Sequence, residues 1–155
     1  MNVDEVEVKI LTEYSPEAAR GLGRLTKFLS KDGTGEPLPE VLLRKILASN
    51  DHTLLVAVSG GKIIGAAIVV QIIGILREKA YLHEIVVDES VMGKGVADAL
   101  WDKIEALCQE RGLEFMDFTS KYDRHRAHAF YEKHGAYIRT ETAPYRVVFK
   151  KKGTS

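Results

Sequence analysis

Gly93-Lys94-Gly95 stands between a β-branched run, Ile85-Val86-Val87, and an amphipathic stretch that begins at Val96. Glycines at a strand-to-helix junction let backbone N–H groups close around an anion, and the helix start adds the positive end of its dipole. Lys94 adds a point charge. The chemistry on offer is phosphate binding, and the alternative is a permissive turn that holds nothing. A Walker loop is excluded, because its glycine spacing and its closing Lys-Ser/Thr are both missing. A dinucleotide fingerprint fails as well, because Asp98 stands at its third glycine position.

Other reactive side chains lie nearby in sequence. His83 and Glu84 are neighbours in a strand-like run, so they face opposite sides unless a bulge intervenes. Their structural alternatives are an ordinary histidine and a solvent-facing or ion-paired acid. His125 and His128 have i, i+3 spacing, but no further ligands stand near them and no metal is expected. Cys108 is the only cysteine, which excludes an intrachain disulfide and a cysteine-rich zinc site. It reads as a small hydrophobe on a helix.

These residues need elements to position them. Val6, Val8 and Ile10 alternate with charged residues and predict a half-buried strand. Ser15-Pro16-Glu17 is a helix start, followed by Ala18, Leu22, Leu25 and Leu29 at helical spacing. Pro39 opens a second helix with Leu42, Leu43, Ile46 and Leu47 inward. Residues 53–58 and 62–72 read as a hairpin around Gly60-Gly61, and residues 79–87 as another strand. The clearest helix covers residues 95–111, with Gly112 as its stop. Strand 114–120, helix 124–134 and strands 137–141 and 145–150 complete the chain. The order β-α-α-β-β-β-α-β-α-β-β is mixed α/β.

The totals narrow the partners. In 155 residues Lys+Arg and Asp+Glu both number 22, so no bulk charge draws the chain to nucleic acid or to an anionic membrane. Residues Met1–Glu7 do not resemble a leader, and no apolar run is long enough to span a bilayer, so a cytoplasmic protein is expected.

Met92-Gly93-Lys94-Gly95-Val96-Ala97 resembles the coenzyme A turn R/Q-x-x-G-x-G/A of the GNAT superfamily of N-acetyltransferases, except that Met92 replaces the Arg or Gln. The strand Tyr81-Leu82-His83-Glu84-Ile85-Val86-Val87-Asp88 is similar to that family's Y-I-E-D-V-V-V-D. Residues 119–136 resemble its motif T-S-x-x-x-R-x-x-A-x-x-F-Y-x-K-x-G-F. The resemblance covers the chain from its first strand to its last. It implies an α/β fold of α+β type: a mixed, mostly antiparallel central sheet with splayed fourth and fifth strands, flanked by helices. One N-acetyltransferase domain would occupy residues 1–150, with 151–155 as a tail.

The same resemblance implies a site. Acetyl-CoA would sit in the cleft between the splayed strands. Its pyrophosphate would lie on Met92, Gly93, Lys94, Gly95, Val96 and Ala97, and its pantetheine arm along Ile85, Val86 and Val87. Arg124 would reach a phosphate. Glu84 would be the base, directly or through a water, and Tyr131 the acid that protonates the departing thiolate near which it stands. A bulge typical of the family would also bring His83 to the cleft. No metal is implied. The acceptor would be a small-molecule amine or a peptide amine, and members often dimerise, which leaves a homodimer open to this chain. Two other classes compete: a catalytically silent acetyl-CoA sensor, allowed by Met92, and a nucleic-acid-binding module using Lys121, Arg124, Arg126 and Lys133, which zero net charge disfavours.

Overall fold

A computed structural model describes residues 5–150; the expected tail 151–155 and the opening residues 1–4 lie outside the described residues. Strand β1 (Glu7–Ile10) is followed by helices α1 (Pro16–Leu29) and α2 (Glu40–Ala48), then by strands β2 (His52–Ser59), β3 (Lys62–Ile73) and β4 (Glu78–Val87). Helix α3 (Val96–Glu110), strand β5 (Met116–Asp117) and helix α4 (His125–Lys133) complete the order. The described residues fall into two units, one ending at Phe118 and one beginning at Thr119.

The first unit holds a five-stranded sheet in the order β1-β2-β3-β4-β5. Its first three ladders are antiparallel and β4 pairs with β5 in parallel. Both residues of the Gly60-Gly61 turn have positive φ, 58° and 76°, as a tight hairpin that follows the strand twist requires. Ser15 caps α1 by accepting from the Ala18 N–H at 3.0 Å, and Pro16 opens the helix. The apolar stripe Ala18, Ala19, Leu22 and Leu25 packs with Leu43 of α2 on Leu54, Val56 and Ala66 of the sheet. Alternate residues of the same strands, Leu55, Ala57, Ala67 and Val69, face the other side and are buried. Helix α3 packs on β2, β3 and β4 and buries Val96, Leu100, Trp101, Ile104 and Leu107.

Three expectations need correction. Leu42 is exposed, because the inward stripe of α2 runs through Leu43, Ile46 and Leu47 and leaves it outside. The strand expected over 114–120 is only Met116–Asp117. The two strands expected over 137–141 and 145–150 are absent from the second unit, where Tyr137, Tyr145 and Phe149 are exposed. A strand needs a partner edge as well as β-branched and aromatic residues, and neither segment has a ladder partner among the described residues.

Candidate active site

The site of the first unit is built where β4 loses a partner. Its pairing with β5 ends at Ala80↔Met116 and Tyr81↔Asp117. Among the described residues, β4 from Leu82 to Val87 is paired with β3 alone, and its other edge presents backbone N–H and C=O groups with no ladder partner. This is the splay that the fourth and fifth strands were expected to show. Ile85, Val86 and Val87 all lie on that stretch, half-buried, opposite Ala67, Ala66 and Gly65 of β3.

Within the stretch, Ile68 pairs with Glu84 and Val69 with Leu82, so His83 is an extra residue, a bulge. The bulge fixes which face each side chain takes. Glu84 shares the face of its partner Ile68, which packs against the α1–α2 core. His83 is turned to the same side: its Nε2 lies 3.7 Å from Glu84 Oε1, and its ring centroid is 6.3 Å from that of Tyr81. Both side chains reach solvent, with 57% of His83 and 39% of Glu84 exposed.

The glycine turn follows β4 directly. Asp88 is buried and accepts from Ser90 N at 2.9 Å and from Ser90 Oγ at 2.8 Å, which closes a short 3-10 turn over Glu89–Val91. Burial pushes the Asp88 carboxyl up, but the two Ser90 bonds and the nearby Lys62 and Arg24 outweigh it and hold the pKa below 3.8. Val91 is fully buried and anchors the turn. Met92 points out, 45% exposed, so it does not pack beneath the glycines. Gly93 and Gly95 take left-handed φ values of 77° and 82°, conformations that disfavour any residue with a Cβ. Gly95 caps α3 without a side chain, and the helix itself offers no acceptor to the N–H groups of Val96 and Ala97. The Val96 side chain is core, so only its backbone faces the turn. Lys94 is exposed and its N–H bonds the Val91 carbonyl at 3.3 Å.

The second unit carries Arg124 and Tyr131. Arg124 is the N-cap residue of α4 and makes no side-chain cap. Tyr131 is half-buried with its ring 5.7 Å from Phe130. Burial pushes its phenol up and the Arg124 charge pulls partly against this, so the hydroxyl stays protonated at neutral pH. His128 Nε2 lies 2.8 Å from the Lys121 carbonyl, which commits that nitrogen as an N–H donor. No group of three or more metal-ligating side chains occurs among the described residues. No described helix is long and apolar enough to cross a membrane.

The structure thus brings Glu84, residues 85–87 and the turn 92–97 together in one unit and places Arg124 beside Tyr131 in the other. The support of the turn, Asp88 with its partner Ser90, was missed by sequence reasoning. Asp-x-Ser after a strand was the available signal, since such a pair closes an Asx turn.

No curated protein sequence matches the chain. Among solved structures, an aminoglycoside acetyltransferase from an uncultured soil metagenomic sample superposes with a TM-score of 0.76 at 16% identity, covering 94% of this chain and 97% of that one. A ribosomal-protein-alanine N-acetyltransferase from Brucella melitensis biovar Abortus does so with a TM-score of 0.71 at 18% identity, covering 92% and 100%. An integron cassette protein of V. cholerae gives a TM-score of 0.72 at 21% identity, covering 96% and 94%. At such identities these likenesses show the fold. The profile of the Acetyltransferase (GNAT) family matches residues 22–136, which include the splayed strand, the glycine turn and α4, and the chain belongs to that family of acyl-CoA-dependent N-acetyltransferases.

Proposed function

We propose that the chain transfers the acetyl group of acetyl-CoA to a primary amine by direct attack. The amine nitrogen bonds to the thioester carbonyl carbon, the C–S bond breaks, and Tyr131 protonates the departing thiolate. Glu84 takes the amine proton, directly or through one water. The pantetheine amides extend along the open edge of β4 at Ile85–Val87, and the pyrophosphate lies on Met92–Ala97, with Arg124 toward a phosphate. Residues 1–150 act as one catalytic domain, a reading supported by a family match that runs through the boundary at Phe118. The observation that carries the proposal is the open edge of β4, with an acid beside its bulge, followed after one short turn by two left-handed glycines at a helix start.

The acceptor is a small-molecule or peptide amine. An aminoglycoside, a polyamine, an amino sugar phosphate and a peptide beginning with alanine span these classes. Each is incubated with acetyl-CoA and followed by release of the free thiol. Turnover with at least one is expected, and Glu84→Gln should slow it at neutral pH with partial recovery at high pH, where the amine deprotonates unaided. Thiol release with none of them, alongside intact acetyl-CoA binding, would instead favour the silent sensor.

A further inference from the structure

The bulge on β4 does more than aim Glu84. An unbulged strand would send His83 to the opposite face, yet here its Nε2 stands 3.7 Å from the Glu84 carboxylate. That distance is slightly beyond a hydrogen bond, and a ring shift of about 1 Å, or one bridging water, closes it. The ring has room to move, since 57% of its side chain is exposed. Its neighbours across the ladder, Ile68 and Val69, are uncharged, and the nearest charged pair toward β5, Lys79–Asp117, is closed on itself at 3.0 Å.

We propose that His83 is the proton exit of the acetyl transfer, a relay that acts through Glu84. The proposal rests on Glu84 being the base. The amine proton passes to Glu84 Oε1 as the C–N bond forms. It moves to His83 Nε2, and the imidazolium releases it to solvent or buffer, from which Tyr131 recovers the proton it gave to the thiolate. Glu84 is thereby returned to its ionised form for the next turnover. His83 touches no reacting atom in this scheme; it restores the group that does.

The test compares wild type, His83→Ala, His83→Gln and Glu84→Gln with the best acceptor of the panel above. Turnover is measured at fixed pH and ionic strength over a range of imidazole concentrations. Wild-type kcat is expected to be flat in imidazole. His83→Ala and His83→Gln should fall about tenfold at low buffer, less than the roughly 10²–10⁴-fold of a direct general base, with KM for acetyl-CoA unchanged. Imidazole should restore His83→Ala in proportion to its concentration, and should not restore Glu84→Gln. If Glu84→Gln is slow but His83→Ala keeps wild-type kcat, or is slow and insensitive to imidazole, the relay is overturned while the base stands. A Glu84→Gln variant at the wild-type rate overturns both.

Discussion

Gly95→Ala separates strain in the turn from its chemistry, because the structure supplies a matched control. Gly95 has φ 82° and Gly61 has φ 76°, and a Cβ built on either meets nothing within 4 Å. A non-glycine residue in this conformation costs about 1–2 kcal/mol. The stiffer unfolded chain returns roughly 0.4–1 kcal/mol. The balance is a loss of about 1 kcal/mol at either position, or about 2–4 °C in Tm for a chain of this length. Gly61 lies in the β2–β3 hairpin, away from the turn that precedes α3. Gly61→Ala should therefore lose this stability and nothing else. In Gly95→Ala the new methyl also takes up space that a phosphate oxygen needs in order to reach the N–H groups at the start of α3. Losing one charge-assisted bond costs roughly 1.5–3 kcal/mol. Acetyl-CoA should then bind about tenfold to a hundredfold more weakly. Melting curves with and without acetyl-CoA, together with calorimetric titration, read both quantities. If the two variants melt alike and bind acetyl-CoA alike, the turn does not hold the pyrophosphate.

Tyr131→Phe should lower kcat about 10²-fold while leaving acetyl-CoA affinity nearly unchanged, and an unchanged kcat would remove the phenol from the mechanism. Met92→Arg supplies the donor that the pattern R/Q-x-x-G-x-G/A has at this place; on a side chain this exposed, solvent screening leaves about 1 kcal/mol or less, so titration should show about threefold to fivefold tighter acetyl-CoA binding that shrinks with salt. Weaker binding at both low and high salt would refute that reading. Asp88→Asn should melt earlier than wild type. Because the folded carboxyl titrates below 3.8, its contribution is fully present above that pH and is lost as pH falls through the lower folded value, so the gap in Tm should be constant near neutrality and close under acid. A gap that widens in acid would contradict the assignment.

Local chemistry was the legible part of this chain. Ser15-Pro16-Glu17 predicts the start of α1 because a cap, a fixed φ and a dipole all act within one turn. The stripe of α3 and the Gly60-Gly61 hairpin are equally local. Pairing between distant segments was not legible. Residues 114–120 have the composition of a strand, yet β5 contains two residues, because pairing along the edge of β4 stops at Tyr81. Residues 137–141 and 145–150 have the composition of strands but no ladder partner among the described residues, and propensity alone does not supply one. The site divides in the same way. The glycine turn is written in its own residues, and so are the Ser90 bonds that lower Asp88 most, whereas the lesser Lys62 and Arg24 charges come from β3 and α1.

The bulge shows why a site can be half legible. Read as plain alternation, Ala80, Leu82, Glu84 and Val86 would share one face. Ala80 and Leu82 are buried, and Val86 packs into the α1–α2 core on the other side of the sheet. Alternation without interruption would therefore carry Glu84 into the apolar layer with Leu82. Burying an unpaired carboxylate there costs several kcal/mol. Skipping one ladder residue costs roughly 0.5–1.5 kcal/mol in lost hydrogen bonding, less where water replaces the partner. An extra residue between Leu82 and Val86 is thus the cheaper solution, and that much follows from residue types. Its position does not. His83 is tolerated on either face, so the sequence cannot distinguish a bulge at His83 from one at Glu84 or Ile85. The pairing of Ile68 with Glu84 decides it, and that contact belongs to β3. The neighbouring strand, by fixing the register, sets an acid and an imidazole side by side at the edge that β5 leaves open.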